Sequence, residues 1–146
     1  MIAPVIRMDS RRVHELLAEA ATIVETGRGF WGLRCGEHAV YVLTDEAHNR
    51  MRIMSPVAVE EDLDEAEMRL LLEANFDRTL DARFALADEI VWSLFVHPLD
   101  TLSEVQLLEG LGQVVQLAEN FGTTYTSTDL LFGADLNGDG PGEPGP

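Results

Sequence analysis

The chain has 146 residues, a mass of 16.1 kDa and a single cysteine. This length indicates one domain, with a core large enough to fold without a metal or a disulfide. The formal net charge is −16 at pH 7 and all 10 basic residues are arginines, which excludes lysine chemistry such as Schiff-base formation and disfavours nucleic acid and anionic membranes as partners.

The first part of the chain predicts one helix followed by three strands. Asp9 or Ser10 suits a helix N-cap, and Gly27 is expected to end the helix. The apolar residues between them keep the spacing of one helical face: Val13, Leu16, Leu17, Ala20, Ile23 and Val24. Segments rich in aromatic and β-branched residues then predict an antiparallel three-strand meander, at residues 29–35, 38–44 and 49–57. Pro56 is expected to end the third strand, because proline has no N–H for the ladder.

The second part predicts two helices separated by a strand pair. Asp64 and Glu67 have the spacing of a capping box, and so do Ser103 and Gln106 before the last helix. The two strands are expected at residues 82–87 and 89–97. The order helix, three strands, helix, two strands, helix predicts an α+β domain with helices packed on an antiparallel sheet.

This domain is expected to span residues 1–133, and the acidic Gly/Pro-rich residues 134–146 are expected to form a disordered tail. Asp135, Asn137 and Asp139 copy the start of an EF-hand loop, but Pro146 occupies the place of the bidentate Glu. No calcium site is therefore predicted. The chain shows neither a signal-peptide pattern nor an apolar run of membrane-spanning length, so we expect a cytoplasmic protein.

Catalytic and cofactor-binding patterns are absent from the sequence. The 4 histidines include no pair at metal-ligand spacing, and Arg34 is the only cation adjacent to Cys35 in the sequence. No nucleophile elbow, dinucleotide-binding motif or P-loop occurs. Carboxylates cluster at residues 60–67, where the solvated start of a helix explains them. We therefore predict a protein that is not an enzyme and binds neither a metal nor a cofactor.

Residues 90–96 carry apolar side chains on both faces of a predicted strand. One face has Ile90, Trp92, Leu94 and Val96, and the other has Val91, Ser93 and Phe95. A sheet with one solvated face normally alternates apolar and polar residues, so the second face needs a cover. Either helices pack on both faces, or one face is an oligomer interface or a binding surface.

Three segments resemble the class I type III secretion chaperones (the Tir-chaperone family) and the related YbjN-like domains. They are residues 51–57 in the third strand, residues 70–76 in the second helix and residues 97–104 entering the last helix. The resemblance extends over residues 10–121. It implies an acidic cytosolic homodimer without catalysis, which holds an extended stretch of a client protein on apolar patches and exposed strand edges.

The resemblance also implies two sets of contact residues. The dimer contact is expected on the second helix and the neighbouring strand, at Leu71, Leu72, Phe76, Trp92 and Leu94. Client contacts are expected on the meander, at Phe30, Trp31, Leu33, Val40 and Val42. A second hypothesis is a YbjN-like regulatory or sensory adaptor that binds a folded partner at a compact patch, and the sequence does not separate it from the first.

Overall fold

The computed structural model describes residues 6–122, so the predicted tail at residues 134–146 lies outside the described residues. Within this range the chain forms three α-helices and six strands. In chain order these elements are α1 (Ser10–Ala20), β1 (Thr22–Gly27), β2 (Phe30–Cys35), β3 (His38–Asp45), β4 (Arg50–Val59), a short 3-10 helix (Glu60–Asp62), α2 (Glu65–Asp77), β5 (Arg83–Ala87), β6 (Ile90–His97) and α3 (Glu104–Asn120).

The strands form one antiparallel sheet in the order β1-β2-β3-β4-β6-β5. Neighbouring strands are consecutive in sequence except at β4 and β6, where α2 and β5 intervene. The predicted α+β class, with helices packed on an antiparallel sheet, is confirmed. Strands β1 and β5 are the two edges of this sheet.

The prediction of one helix up to Gly27 is wrong, because α1 ends at Ala20 and the next residues form β1. The backbone N–H of Ala21 closes the helix on the carbonyl of Leu17. The following segment is rich in β-branched residues, whose restricted side chains favour extended backbone. The meander therefore has four strands rather than three.

The prediction that the third meander strand ends at Pro56 is also wrong, because β4 continues to Val59. The last β3–β4 pair joins Tyr41 and Met54, so Pro56 lies beyond the β3–β4 ladder while it still pairs with Trp92 of β6. The pairing with β6 shifts between Pro56 and Ala58. This bulge absorbs the proline while the strand goes on.

Both predicted capping boxes are confirmed. Asp64 accepts a hydrogen bond from the N–H of Glu67 while the Glu67 side chain accepts one from the N–H of Asp64. Ser103 and Gln106 make the same reciprocal pair at the start of α3. These caps fix where α2 and α3 begin, and hence which of their faces meet the sheet.

Helices α1 and α3 cover one face of the sheet. The indole N–H of Trp31 on β2 donates to Nδ1 of His14 on α1 at 3.0 Å. On β6, the hydroxyl of Ser93 donates to the carbonyl of Val114 on α3 at 2.9 Å. The side chains between these contacts form the main core, and the opposite face of the sheet is left without a helix from this group.

Candidate binding surface

The sheet has a covered face and an open face, because successive residues of a strand point to opposite sides. Trp31, Val42, Ile53 and Phe95 are in register across four strands and are buried on the covered face. The residues next to them point the other way. On this open face the half-buried large side chains are Phe30, Tyr41, Leu43, Met54, Trp92 and Leu94.

An aromatic row crosses the open face. The ring of Phe30 stacks on that of Tyr41 with centroids 6.1 Å apart, and Tyr41 meets Trp92 edge to face at 6.4 Å. These are favourable aromatic geometries. The indole N–H of Trp92 donates to the carbonyl of Ala87 at 3.2 Å, which orients the ring at the end of the row. The row is thus an ordered apolar surface, of the kind that marks interaction sites.

A second apolar surface lies on α2. Leu72 and Phe76, one helical turn apart, are 70% and 90% exposed. Together with Met68 they line a shallow groove of about 520 Å³, which also has Glu65, Arg69 and Glu73 on its walls. We call Met68, Leu72 and Phe76 the α2 strip.

The α2 strip is held against the sheet by the other side of its helix. Leu71 and Ala74 are buried in the core. The side chain of Asn75 pairs with the backbone of Phe84 on β5, donating to its carbonyl at 3.0 Å and accepting from its N–H at 2.8 Å. Leu72 and Phe76 are therefore exposed even though the opposite side of α2 is packed against the rest of the domain.

The structure divides the residues predicted for a dimer contact. Leu72 and Phe76 are exposed on α2, whereas Leu71 is 4% exposed and packs in the core, so Leu71 is left out of the proposed dimer contact. Trp92 and Leu94 lie on the open face of β6 and not with the α2 strip. Along β6 every second side chain points to the open face, whereas along α2 the side chains three or four positions apart share one side. The two sets of residues therefore fall on different surfaces.

The structure also divides the residues predicted for client contacts. Phe30 lies on the open face, but the other four are at most 4% exposed and lie on the covered face: Trp31, Leu33, Val40 and Val42. Because these four side chains pack in the core, the client surface proposed for this protein does not include them. Tyr41 was missed, although a large aromatic residue between two valines on β3 is the signal that could have found it.

A polar cleft of about 1010 Å³ lies at the end of the sheet where the β1–β2 and β3–β4 turns meet the start of α1. Asp45 accepts hydrogen bonds from the backbone N–H and Nδ1 of His48, which lower the pKa of the Asp45 carboxyl. Glu46 accepts from the N–H of Ser10 at 3.0 Å. Asp45 therefore stabilises the turn after β3, and Glu46 stabilises the start of α1.

The thiol and the possible metal ligands are the remaining groups of chemical interest among residues 6–122. Cys35 is half-buried, and this burial raises the pKa of its thiol, which disfavours the reactive thiolate. In the described part of the chain, no three His, Cys, Asp or Glu side chains gather to hold a metal ion. No helix there is long and apolar enough to cross a membrane.

No protein-family model matches the sequence, and no curated protein matches it either. Solved structures of protein–protein complexes do share its fold. A chain of the HopA1–SchA chaperone–effector complex superposes with a TM-score of 0.57 at 12% identity, covering 73% of this chain and 87% of that chain.

Two further structures are similar in the same way. The Yersinia pestis type III secretion chaperone SycH, solved in complex with a fragment of YscM2, gives a TM-score of 0.58 at 16% identity and covers 77% of this chain and 98% of that chain. The ExsC–ExsE complex gives 0.58 at 22% identity, covering 77% and 92%. The chain therefore has a type III secretion chaperone-like fold, as the sequence resemblance implied.

Proposed function

We propose that this chain is a non-enzymatic protein-binding module, a homodimeric chaperone-like protein that holds an extended segment of a client. The observation that carries this proposal is the aromatic row Phe30, Tyr41 and Trp92 on the open face. One face of the sheet already serves the core, so the apolar side chains of the other are available for binding. The fold supports the proposal, because SchA and SycH are chaperones solved in complexes with protein partners.

An extended segment suits this surface better than a compact domain. The open face presents side chains in rows that follow the strands, and the edge strand β1 is mostly exposed. A segment in β-conformation can place alternate side chains on such rows or pair with a strand edge. The client is therefore expected to bind through a stretch of residues without tertiary structure of its own.

The α2 strip is proposed as the contact between two copies of the chain. Leu72 and Phe76 are the most exposed large apolar residues of α2, and a two-fold axis beside the helix would pack each strip against its equivalent. This contact leaves the aromatic row free. Trp92 and Leu94 are accordingly assigned to the client surface, where they continue the row from Phe30.

Site-specific photo-crosslinking tests the client surface. Benzoylphenylalanine is placed at Tyr41 and, as a control, at Val105 of α3, which is 63% exposed but lies away from the row. The Tyr41 probe is expected to crosslink a partner in native lysate, and the Val105 probe is not. Equal yields from both positions contradict the proposed surface.

Limited proteolysis of the crosslinked partner then tests the extended state. The attachment site is expected in a segment that proteases cut readily in the free partner. Attachment within a protease-resistant domain instead supports the adaptor hypothesis, in which a folded partner binds.

A further inference from the structure

The polar cleft at the end of the sheet contains three arginines, Arg28, Arg50 and Arg52. All three are exposed, and none makes an ion pair or a side-chain hydrogen bond with another residue in the range 6–122. By contrast, Arg7 forms an ion pair with Asp100, and Arg12 forms ion pairs with Glu15 and Glu104. Three neighbouring arginines without an ion-pair partner in the described part of the chain are notable in a protein with a net charge of −16.

The acidic residues of the cleft offset these arginines only in part, because Asp45, which lies across the strands from Arg50, and Glu46 bring two negative charges against three positive ones. The Asp45 carboxylate is bound to His48 at 2.8 Å, and Glu46 is bound to the N–H of Ser10. Both carboxylates therefore have partners at the turn and at the helix start. Among residues 6–122, no side chain takes up the donors of these guanidinium groups, which are therefore available to a ligand.

The backbone holds these arginines in place. Gly29, next to Arg28, has φ +64° and its carbonyl accepts from the N–H of Thr44 at 3.0 Å. A Cβ on Gly29 would lie 2.7 Å from the Thr44 carbonyl oxygen, so only glycine allows the turn to approach β3 this closely. Arg52 lies within β4, in register with Leu43 and Val96. The cleft is thus built on the sheet itself.

The cleft is continuous with the aromatic row. Phe30 lines the cleft and also stacks on Tyr41. Leu43 and Arg52, which are paired across β3 and β4, line the cleft and share the open face with Phe30. A segment lying along the row from Trp92 towards Phe30 would therefore lead into the three arginines.

We propose that the cleft of Arg28, Arg50 and Arg52 binds acidic side chains of a peptide segment whose apolar residues lie on the aromatic row. This inference deepens the proposed function and rests on it. Guanidinium groups bind carboxylates with two parallel hydrogen bonds, which fixes orientation as well as charge. The rest of the acidic surface repels such a segment, so the cleft sets its register and selects clients in which acidic and apolar residues adjoin.

Selection from a random dodecapeptide library displayed on phage tests this inference with the full-length protein. Peptides recovered on the wild-type chain are expected to be enriched in Asp and Glu next to apolar residues. The affinity of these peptides is then measured by fluorescence polarisation for Arg52→Glu and for the control Arg11→Glu. Arg11 is exposed on α1, which covers the other face of the sheet, and lies outside the cleft, and both substitutions change the net charge equally.

Arg52→Glu is expected to weaken binding about tenfold, since charge reversal replaces attraction by repulsion at the contact. Arg11→Glu is expected to change it less than about twofold, because an exposed charge outside the contact is screened. Equal effects of the two substitutions, or selected peptides without acidic enrichment, overturn the inference while leaving the proposed function standing. Recovery of no peptide that competes with the Tyr41 crosslink overturns both.

Discussion

Gly110 of α3 lies directly against the ring of Phe95 on β6. A Cβ at this position would be 2.8 Å from Cδ2 and Cε2 of the ring. Glycine within a helix costs about 1 kcal/mol relative to alanine, and this contact explains its presence. A residue without a side chain lets α3 approach the sheet and bury the covered face of β6.

Replacing Gly110 by alanine is therefore expected to destabilise the protein by about 1–3 kcal/mol through overpacking, despite the higher helix propensity of alanine. Glu109→Ala, at the exposed neighbouring position, is the control and is expected to change stability by less than about 0.5 kcal/mol. Chemical denaturation measures both variants. An increase in stability for Gly110→Ala contradicts the close contact with Phe95.

Gln113 provides a buried polar contact between α3 and the segment before β5. It is 2% exposed, and its Oε1 accepts from the backbone N–H groups of Asp81 at 2.9 Å and Ala82 at 3.1 Å. Gln113→Leu is expected to cost about 2–4 kcal/mol, because it removes the acceptor of both donors. Gln116→Leu, which removes only a contact with Asn120, serves as the comparison in thermal unfolding. Equal losses would show that the Gln113 bonds do not stabilise the fold.

Phe30 and Trp31 are adjacent in sequence but lie on opposite faces of the sheet. Trp31→Ala is expected to destabilise the protein by about 3–5 kcal/mol, since it empties a site in the core. Phe30→Ala is expected to cost less than about 1.5 kcal/mol and to reduce crosslinking through Tyr41, because it shortens the aromatic row. Thermal unfolding and crosslink yield separate the two effects. The assignment of faces is wrong if the two variants lose stability equally.

The α2 strip predicts the oligomeric state. The double substitution Leu72→Asp with Phe76→Asp is expected to convert a dimer into a folded monomer, because it places four charges across the two-fold contact. Val105→Asp, at an exposed apolar position on α3, is the matched control and should leave the dimer intact. Light scattering after size-exclusion chromatography measures the mass. A dimer that survives the double substitution excludes the α2 strip as the interface.

The β5–β6 hairpin turn predicts a gain of stability. Asp88 and Glu89 have φ angles of +53° and +66°, the left-handed region that a tight hairpin of this kind requires. Because glycine adopts this conformation without a Cβ clash, Glu89→Gly is expected to stabilise the protein by about 0.5–1 kcal/mol. Glu61→Gly, at an exposed position outside the turn, is the comparison in chemical denaturation. A loss of stability for Glu89→Gly speaks against strain at this turn.

Local signals predicted the parts of the fold that depend on neighbouring residues. The capping boxes at Asp64 and Ser103 specify hydrogen bonds within four residues, and both form as predicted. The end of α1 was missed because Ile23 continues the helical spacing by coincidence, while the β-branched residues around it favour a strand. This segment becomes a strand because it pairs with β2, and the spacing of residues within the segment does not reveal that pairing.

The binding surface was harder to predict because it depends on which face of each strand the helices cover. The alternation in β2 and β3 separates Phe30 from Trp31 and Tyr41 from Val42, but it does not say which set points to the core. The predicted client residues fell mainly on the buried set for this reason. Likewise, Arg28 and Arg52 lie together in the polar cleft only once the sheet has folded.

The central claim is that the open face of the sheet holds a partner protein. Hydroxyl-radical footprinting measures this most directly. It compares the wild-type protein alone with its non-covalent complex with the partner that the probe at position 41 identified. The account predicts that Tyr41, Met54 and Trp92 are oxidised in the free protein and protected in the complex, whereas Val105 on α3 is unchanged. Equal oxidation of the open-face residues in both states would contradict it.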